Sequence, residues 1–182
     1  MIQAADALGS RYDDIKDIVV RTDFDEETLE SFLAAGIKPP ISEAKFTGDL
    51  YFFSCKIDRY KVGFLHDRID EIVFIKGKDD AVAMIDDLIA SKRFEFKFVT
   101  KKQMEHTPFK VLKDDSEEGM NFTEFKIQRF QSESSEFDIN DIDQYAYLTF
   151  RSDVYTVAVQ QEYTGNECFF VFELRPVNQV LK

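Results

Sequence analysis

Cysteine and histidine, the residue types that most often ligate metals or supply a nucleophile and its base, occur only twice each in the 182-residue chain. Cys55 and Cys168 are too few and too far apart for a zinc pattern with close ligand pairs. A chain of this length can bury a real core without a disulfide or metal staple. Both cysteines lie in apolar, strand-like stretches, Phe52-Phe53-Ser54-Cys55 and Cys168-Phe169-Phe170-Val171. Free cysteine in such a setting is most often a small core residue, so both are expected to be buried. A catalytic thiol would need a histidine brought near it, and nothing in the spacing places His66 or His106 beside either cysteine.

Glycine is scarce, at seven residues, and no glycine-rich phosphate loop, nucleophile elbow or HExxH motif is present. There is no apolar run of about 18 residues, and Met1 to Ser10 has no basic start and is interrupted by Asp6. Both features argue against a membrane span and a secretory signal, so a soluble, cytoplasmic protein is expected. Positive charge is in deficit as well: 23 Lys plus Arg face 35 Asp plus Glu, a net charge of −12. Sequence-independent nucleic-acid binding depends on basic residues that displace counterions, and this balance argues against it.

What the chain does have is apolar content of 44%, including 19 phenylalanines, which is too hydrophobic for a disordered acidic polymer. The pattern predicts an α+β fold in a single compact domain over 1–182, with two to three helices in the N-terminal half and antiparallel meanders. Ser10 and Asp13 have capping-box spacing, and Leu8, Tyr12, Ile15 and Val19 share a helical face. A second helix starts at Asp25, with Glu26 and Glu27 in its first turn and a stripe of Leu29, Phe32 and Leu33. It ends at Gly36 before Pro39-Pro40. A third runs from about Asp79 to Ser91 and is expected to bury Ala81, Met84, Ile85, Leu88 and Ile89.

Period-two alternation predicts strands at Tyr60 to Leu65, Ile72 to Ile75 and Phe94 to Phe98. Shorter or weaker candidates are Phe109 to Leu112 and Phe122 to Phe130. Three more strands are expected near Tyr145 to Arg151, Val154 to Gln161 and Cys168 to Arg175. Sliding the chain against itself by 95 residues pairs Asp58 with Asp153, Tyr60 with Tyr155 and Val62 with Val157. At an offset of 96, Glu71 pairs with Glu167 and Phe74 with Phe170. An internal duplication of a three-stranded unit is therefore expected, over 46–76 and 144–175. It would give two similar sheet units, 1–113 and 120–182, joined by an acidic connection. Strand chemistry draws on few residue types, and any two hairpins rich in Tyr, Val and Phe align passably.

Charge is polarised along the chain. Residues 114–143 hold ten acids and two bases, whereas 92–113 hold seven bases and two acids. A block of acids is usually a solvated loop, but ordered carboxylates on a fold can also meet a basic surface and speed association. Asp114, Asp115, Glu117, Glu118, Glu133, Glu136, Asp138, Asp141 and Asp143 are accordingly the candidate partner-binding residues. Arg93-Phe94-Glu95-Phe96-Lys97-Phe98 interleaves aromatics with charge, but it lacks the glycines of the RNA-stacking strand motif, and alternating phenylalanines are more often core.

His66, Asp67, Asp70 and Glu71 form the densest set of potential metal ligands. Strand alternation splits them between two faces, and the second copy lacks the histidine. The segment Asp138 to Asp143 fails as a calcium loop, because Asp143 stands where a glycine is required. No catalytic residue, metal or cofactor is expected. The leading expectation is a non-enzymatic acidic protein that binds a basic protein surface, as an inhibitor, an immunity factor, a phage-type modulator or a DNA mimic. A homo-oligomeric structural or assembly subunit, for example of a phage particle, is the alternative, since the acidic loops of one copy could meet the basic strand of the next. A hydrolase without a recognisable motif is the third.

Overall fold

Among the described residues, largely apolar segments build eleven strands, and a few short helices connect them. The computed structural model describes residues 1–37, 41–102 and 137–177. Over these the protein is mixed α+β with mostly antiparallel sheets. The chain divides into two compact units, Met1–Ile75 with Glu173–Lys182, and Lys76–Phe172. The acidic segment 114–119 and the strand candidates Phe109 to Leu112 and Phe122 to Phe130 lie outside the described residues.

In the first unit, β1 (Ile2–Gln3), β4 (Leu50–Phe52) and β5 (Cys55–Ile57) form a small sheet in the order β1-β4-β5, with β1 parallel to β4. A second set runs β2 (Val19–Arg21), β3 (Glu43–Phe46), β6 (Tyr60–Leu65) and β7 (Arg68–Gly77), each antiparallel to the next. The end of β11 (Glu167–Pro176), from Glu173 on, belongs to this unit too. Its core is aliphatic and aromatic: Val19, Leu50, Phe52, Ile57, Val62, Ile69, Ile72 and Phe74 are all at most 2% exposed.

The second unit holds α4 (Lys78–Ala90), β8 (Glu95–Thr100), a 3-10 helix (Ile139–Gln144), β9 (Tyr145–Arg151), β10 (Tyr155–Thr164) and the first part of β11. The strand order is β8-β9-β10-β11. Helix α4 buries Ala81, Met84, Ile85 and Leu88, the expected face, but leaves Ile89 39% exposed. Phe94, Phe96 and Phe98 of the predicted strand pack inward: Phe98 is buried, Phe96 stacks on Phe150 at 4.7 Å, and Phe94 meets Tyr155 edge-on at 5.5 Å. Rings held this way are spent on packing rather than offered to bases.

Two expectations need correction. The helix expected from Ser10 to Val19 is only the single turn α2 (Tyr12–Ile15), followed by strand β2 and preceded by a separate turn, α1 (Ala4–Ala7). Gly9 takes φ +76°, Arg11 bridges to Arg68, and the β-branched pair Val19-Val20 joins β3. The second correction concerns the meander over 46–76. The segment 144–175 does give three consecutive neighbouring strands, β9, β10 and β11, but its proposed counterpart does not. Residues 50–57 fold into a tight hairpin through Phe53, at φ +52°, and join β1, so that β6 has β3 as its neighbour instead. A three-residue strand followed at once by a reversal is too short to pair along a neighbour as the seven-residue Tyr145–Arg151 does. Within the two hairpins the inward positions do agree: Val62 and Val157 are buried, as are Phe74 and Phe170.

Candidate interaction surface

Of the nine candidate acids, Asp114, Asp115, Glu117, Glu118, Glu133 and Glu136 lie outside the described residues. The other three do separate jobs. Asp138 precedes the 3-10 helix and accepts hydrogen bonds from the Asn140 amide and side chain, both at 2.9 Å, which is N-terminal capping. Asp143 pairs with Lys78 and accepts from Gln161 Nε2 at 3.2 Å. The hydrogen bond to Asp143 raises the Lys78 pKa above its ordinary value, against the opposing effect of desolvation. Only Asp141, which is exposed, has no side-chain partner among the described residues. Two of these three carboxylates are thus occupied by local structure.

The hairpin set does not converge either. His66 and Asp67 form the two-residue turn between β6 and β7, with φ of +50° and +61°, where short polar residues tolerate the left-handed region. Asp70 and Glu71 instead share Arg175 with Glu173; the Arg175–Asp70 distance is 3.4 Å. Arg68, just after the turn, donates to the Gly9 carbonyl at 2.7 Å. Among the described residues no three His, Cys, Asp or Glu side chains are placed to hold a metal ion. Both cysteines are half-buried rather than fully buried, a correction to the core expectation. Strand ends rather than strand middles carry them, and Gln161 Nε2 reaches Cys168 Sγ at 3.0 Å.

The structure brings forward a segment that the charge count by blocks passed over. Strands β2 and β3 are antiparallel neighbours, which a turn of about 2–5 residues can join. Residues 22–42 connect them instead, and the excursion carries α3 (Glu26–Ala34). Its base is closed by Asp23. That carboxylate, 5% exposed, accepts Arg21 Nε at 2.9 Å, Arg21 Nη2 at 3.2 Å, the Ser42 amide at 2.7 Å and the Ser42 hydroxyl at 3.2 Å. Burial pushes the Asp23 carboxyl up, and the bonds from Arg21 and Ser42 with the Arg21 charge outweigh it, so its pKa lies below the usual range.

Asp25 then caps α3 by accepting from the Thr28 amide at 2.8 Å. Phe24, lying under the Arg21 guanidinium at 5.3 Å, meets Phe32 edge-on at 5.5 Å. The expected apolar stripe is present, yet no residue of α3 is buried. Leu33 is 67% exposed and Ile37, just past the helix, 52%. Residues 22–37 contain Asp23, Asp25, Glu26, Glu27 and Glu30 and no lysine or arginine.

The chain shows no match to a protein-family model, a curated protein or a solved structure. No helix among the described residues is long and apolar enough to cross a membrane.

Proposed function

We propose that the chain is a non-enzymatic, acidic interaction protein that engages a basic surface of a partner protein in the cytoplasm of the producing or host cell. Inhibitors, immunity proteins and phage-type modulators work this way, and a DNA mimic is one form of it. What supports this reading is the contrast in how carboxylates are used. Asp49, Glu43 and Glu95 each face a lysine at 2.8–3.2 Å, and Asp23, Asp70 and Asp143 are likewise paired. Glu26, Glu27, Glu30 and Asp141 have no cation against them among the described residues. Such carboxylates can meet an incoming cation without first giving up an internal one, and their summed field steers encounter.

The test is capture by the tagged full-length chain from its native cell. The reading expects a retained partner with a basic surface that elutes as salt rises. A partner indifferent to salt would refute it. The assembly-subunit alternative draws on the opposite-sign residues Lys92, Arg93 and Lys102, all exposed. Light scattering separates the two, since an assembly subunit is oligomeric by itself. Common descent of the β6–β7 and β10–β11 hairpins belongs to the same proposal, supported by their matching inward positions.

A further inference from the structure

We infer that α3 is the docking element, inserting its apolar stripe into an apolar groove of a partner protein whose one rim carries lysine or arginine. This rests on the proposal that the partner is a basic protein, and it moves the contact from residues 114–143 to the excursion 22–42. Three observations carry it. Residues 22–42 replace what could be a short turn with an excursion that carries a helix of its own. The excursion is pinched shut at its base by Asp23 and capped at Asp25, so the helix is presented on a fixed stem. Its outer apolar residues, Leu33 and Ile37, are mostly exposed, so burial among the described residues does not explain their type.

Charge placement selects the occupant. At about 100° per residue, Leu29, Phe32 and Leu33 fall within an arc of roughly 100°. Glu26 and Glu30 lie within about 60° beyond Leu33, on one side of that stripe, while Thr28 and Ser31 stand beyond Phe32 on the other. A helix recognised through its apolar face sits in a groove, and these acids ask for cations along one rim only. The same acids oppose the other occupants. Two copies of α3 face to face would bring like charges together, and an anionic lipid surface attracts helices rich in lysine and arginine.

The experiment uses the full chain and a labelled amphipathic peptide of leucine and lysine, helical and with lysine along its apolar stripe, read by fluorescence anisotropy against salt. Leu33→Asp and the pair Glu26→Lys with Glu30→Lys should each weaken binding at least tenfold. Asp138→Lys with Asp141→Lys should change it less than twofold. Leu33 is mostly exposed, so the melting temperature of Leu33→Asp should match the parent and exclude misfolding, whereas Asp138→Lys with Asp141→Lys loses the Asp138 cap and should melt slightly earlier while keeping its binding. Loss on reversing Asp138 and Asp141, with none at Leu33, overturns the role of α3 while the acidic-partner proposal stands. Absence of any salt-dependent binding overturns both. A doubled mass by light scattering that reverts in Leu33→Asp, or Leu33-dependent binding to phosphatidylserine vesicles, overturns the inference in favour of a second copy or a membrane.

Discussion

Replacing Asp23 with alanine removes the acceptor of four hydrogen bonds at the point where β2 ends and β3 begins. Arg21, whose side chain is only 13% exposed, loses the Asp23 carboxylate beside it. Hydrogen bonds to a charged group contribute about 1.5–3 kcal/mol, and removing one member of a buried ion pair costs about 3–5 kcal/mol. The site is at a strand end, where the guanidinium can turn toward water, so the lower part of that range applies, about 2–3 kcal/mol. For a chain of this size each kcal/mol moves Tm by roughly 2–4 °C, giving a fall of about 4–12 °C by circular dichroism. The control is Asp49→Ala, which breaks an ion pair of similar length with Lys56. There the side chains are 58% and 47% exposed, and Tm should hold to within about 1 °C. The pH dependence follows from the sign of the shift. The folded Asp23 pKa is below the unfolded value, so its contribution is complete above the ordinary carboxylate range and is lost as pH falls through the lower folded value. The gap between parent and variant should therefore be flat from about pH 7 to 5 and close below about pH 4. Equal shifts for Asp23→Ala and Asp49→Ala, or a gap that widens in acid, would refute the reasoning.

Phe150→Ala should destabilise by about 3–5 kcal/mol in urea titration, because the ring is fully buried and stacked on Phe96. Phe96→Ala, at a half-buried position, should cost clearly less. Reversing Glu133, Glu136, Asp138 and Asp141 to lysine should lower folding stability by about 1 kcal/mol through loss of the Asp138 cap and, if these acids contribute to steering, slow association with a captured partner at low salt; stopped-flow rates decide it. Calorimetric titration with magnesium, manganese, zinc and calcium should show no tight stoichiometric site that His66→Ala with Asp70→Ala abolishes, since Asp70 is engaged by Arg175.

Elements whose pattern is long and uninterrupted were legible in the residues alone. The α4 face repeats over thirteen residues and folds as its periodicity implies, and Tyr145–Arg151 forms the expected strand, with Leu148 and Phe150 inward and a register shift opposite Tyr145. The region from Ser10 to Val19 carries a helical spacing too, but over too few turns to outweigh a left-handed Gly9 and the pairing of Val19-Val20 with β3. Pairings across long separations left no local trace. Nothing near Asp70 or Glu71 announces Arg175, more than a hundred residues on, and nothing near Asp23 announces that Ser42 returns to it. For α3 the type and ends of the helix were readable, but not its exposure. A stripe at positions i, i+3 and i+4 says that a face is apolar; whether the same chain covers it depends on where the stem points.

That distinction bears on how the protein would select a partner. Ordering the backbone of a nine-residue helix costs on the order of 1–2 kcal/mol per residue, and a helix so short is marginal by itself in water. In α3 the opposing contributions are modest: the Asp25 cap, the Phe24–Phe32 contact and the partial burial of Leu29 and Phe32. The Asp23 stem lowers the cost by fixing where the segment starts and ends, so a partner need only cover Leu33 and Ile37 and neutralise Glu26 and Glu30 to shift the balance further. If this is how recognition works, loosening the stem should act on binding without touching the binding face. Asp23→Asn retains an acceptor for the Ser42 amide but not the charge opposite Arg21. It should weaken the leucine-lysine peptide through a slower association step, with α3 amides exchanging faster and those of β6 and β7 unchanged. Uniformly faster exchange in all these strands would show instead that Asp23 supports the unit as a whole, and that the stem has no separate role in presenting the helix.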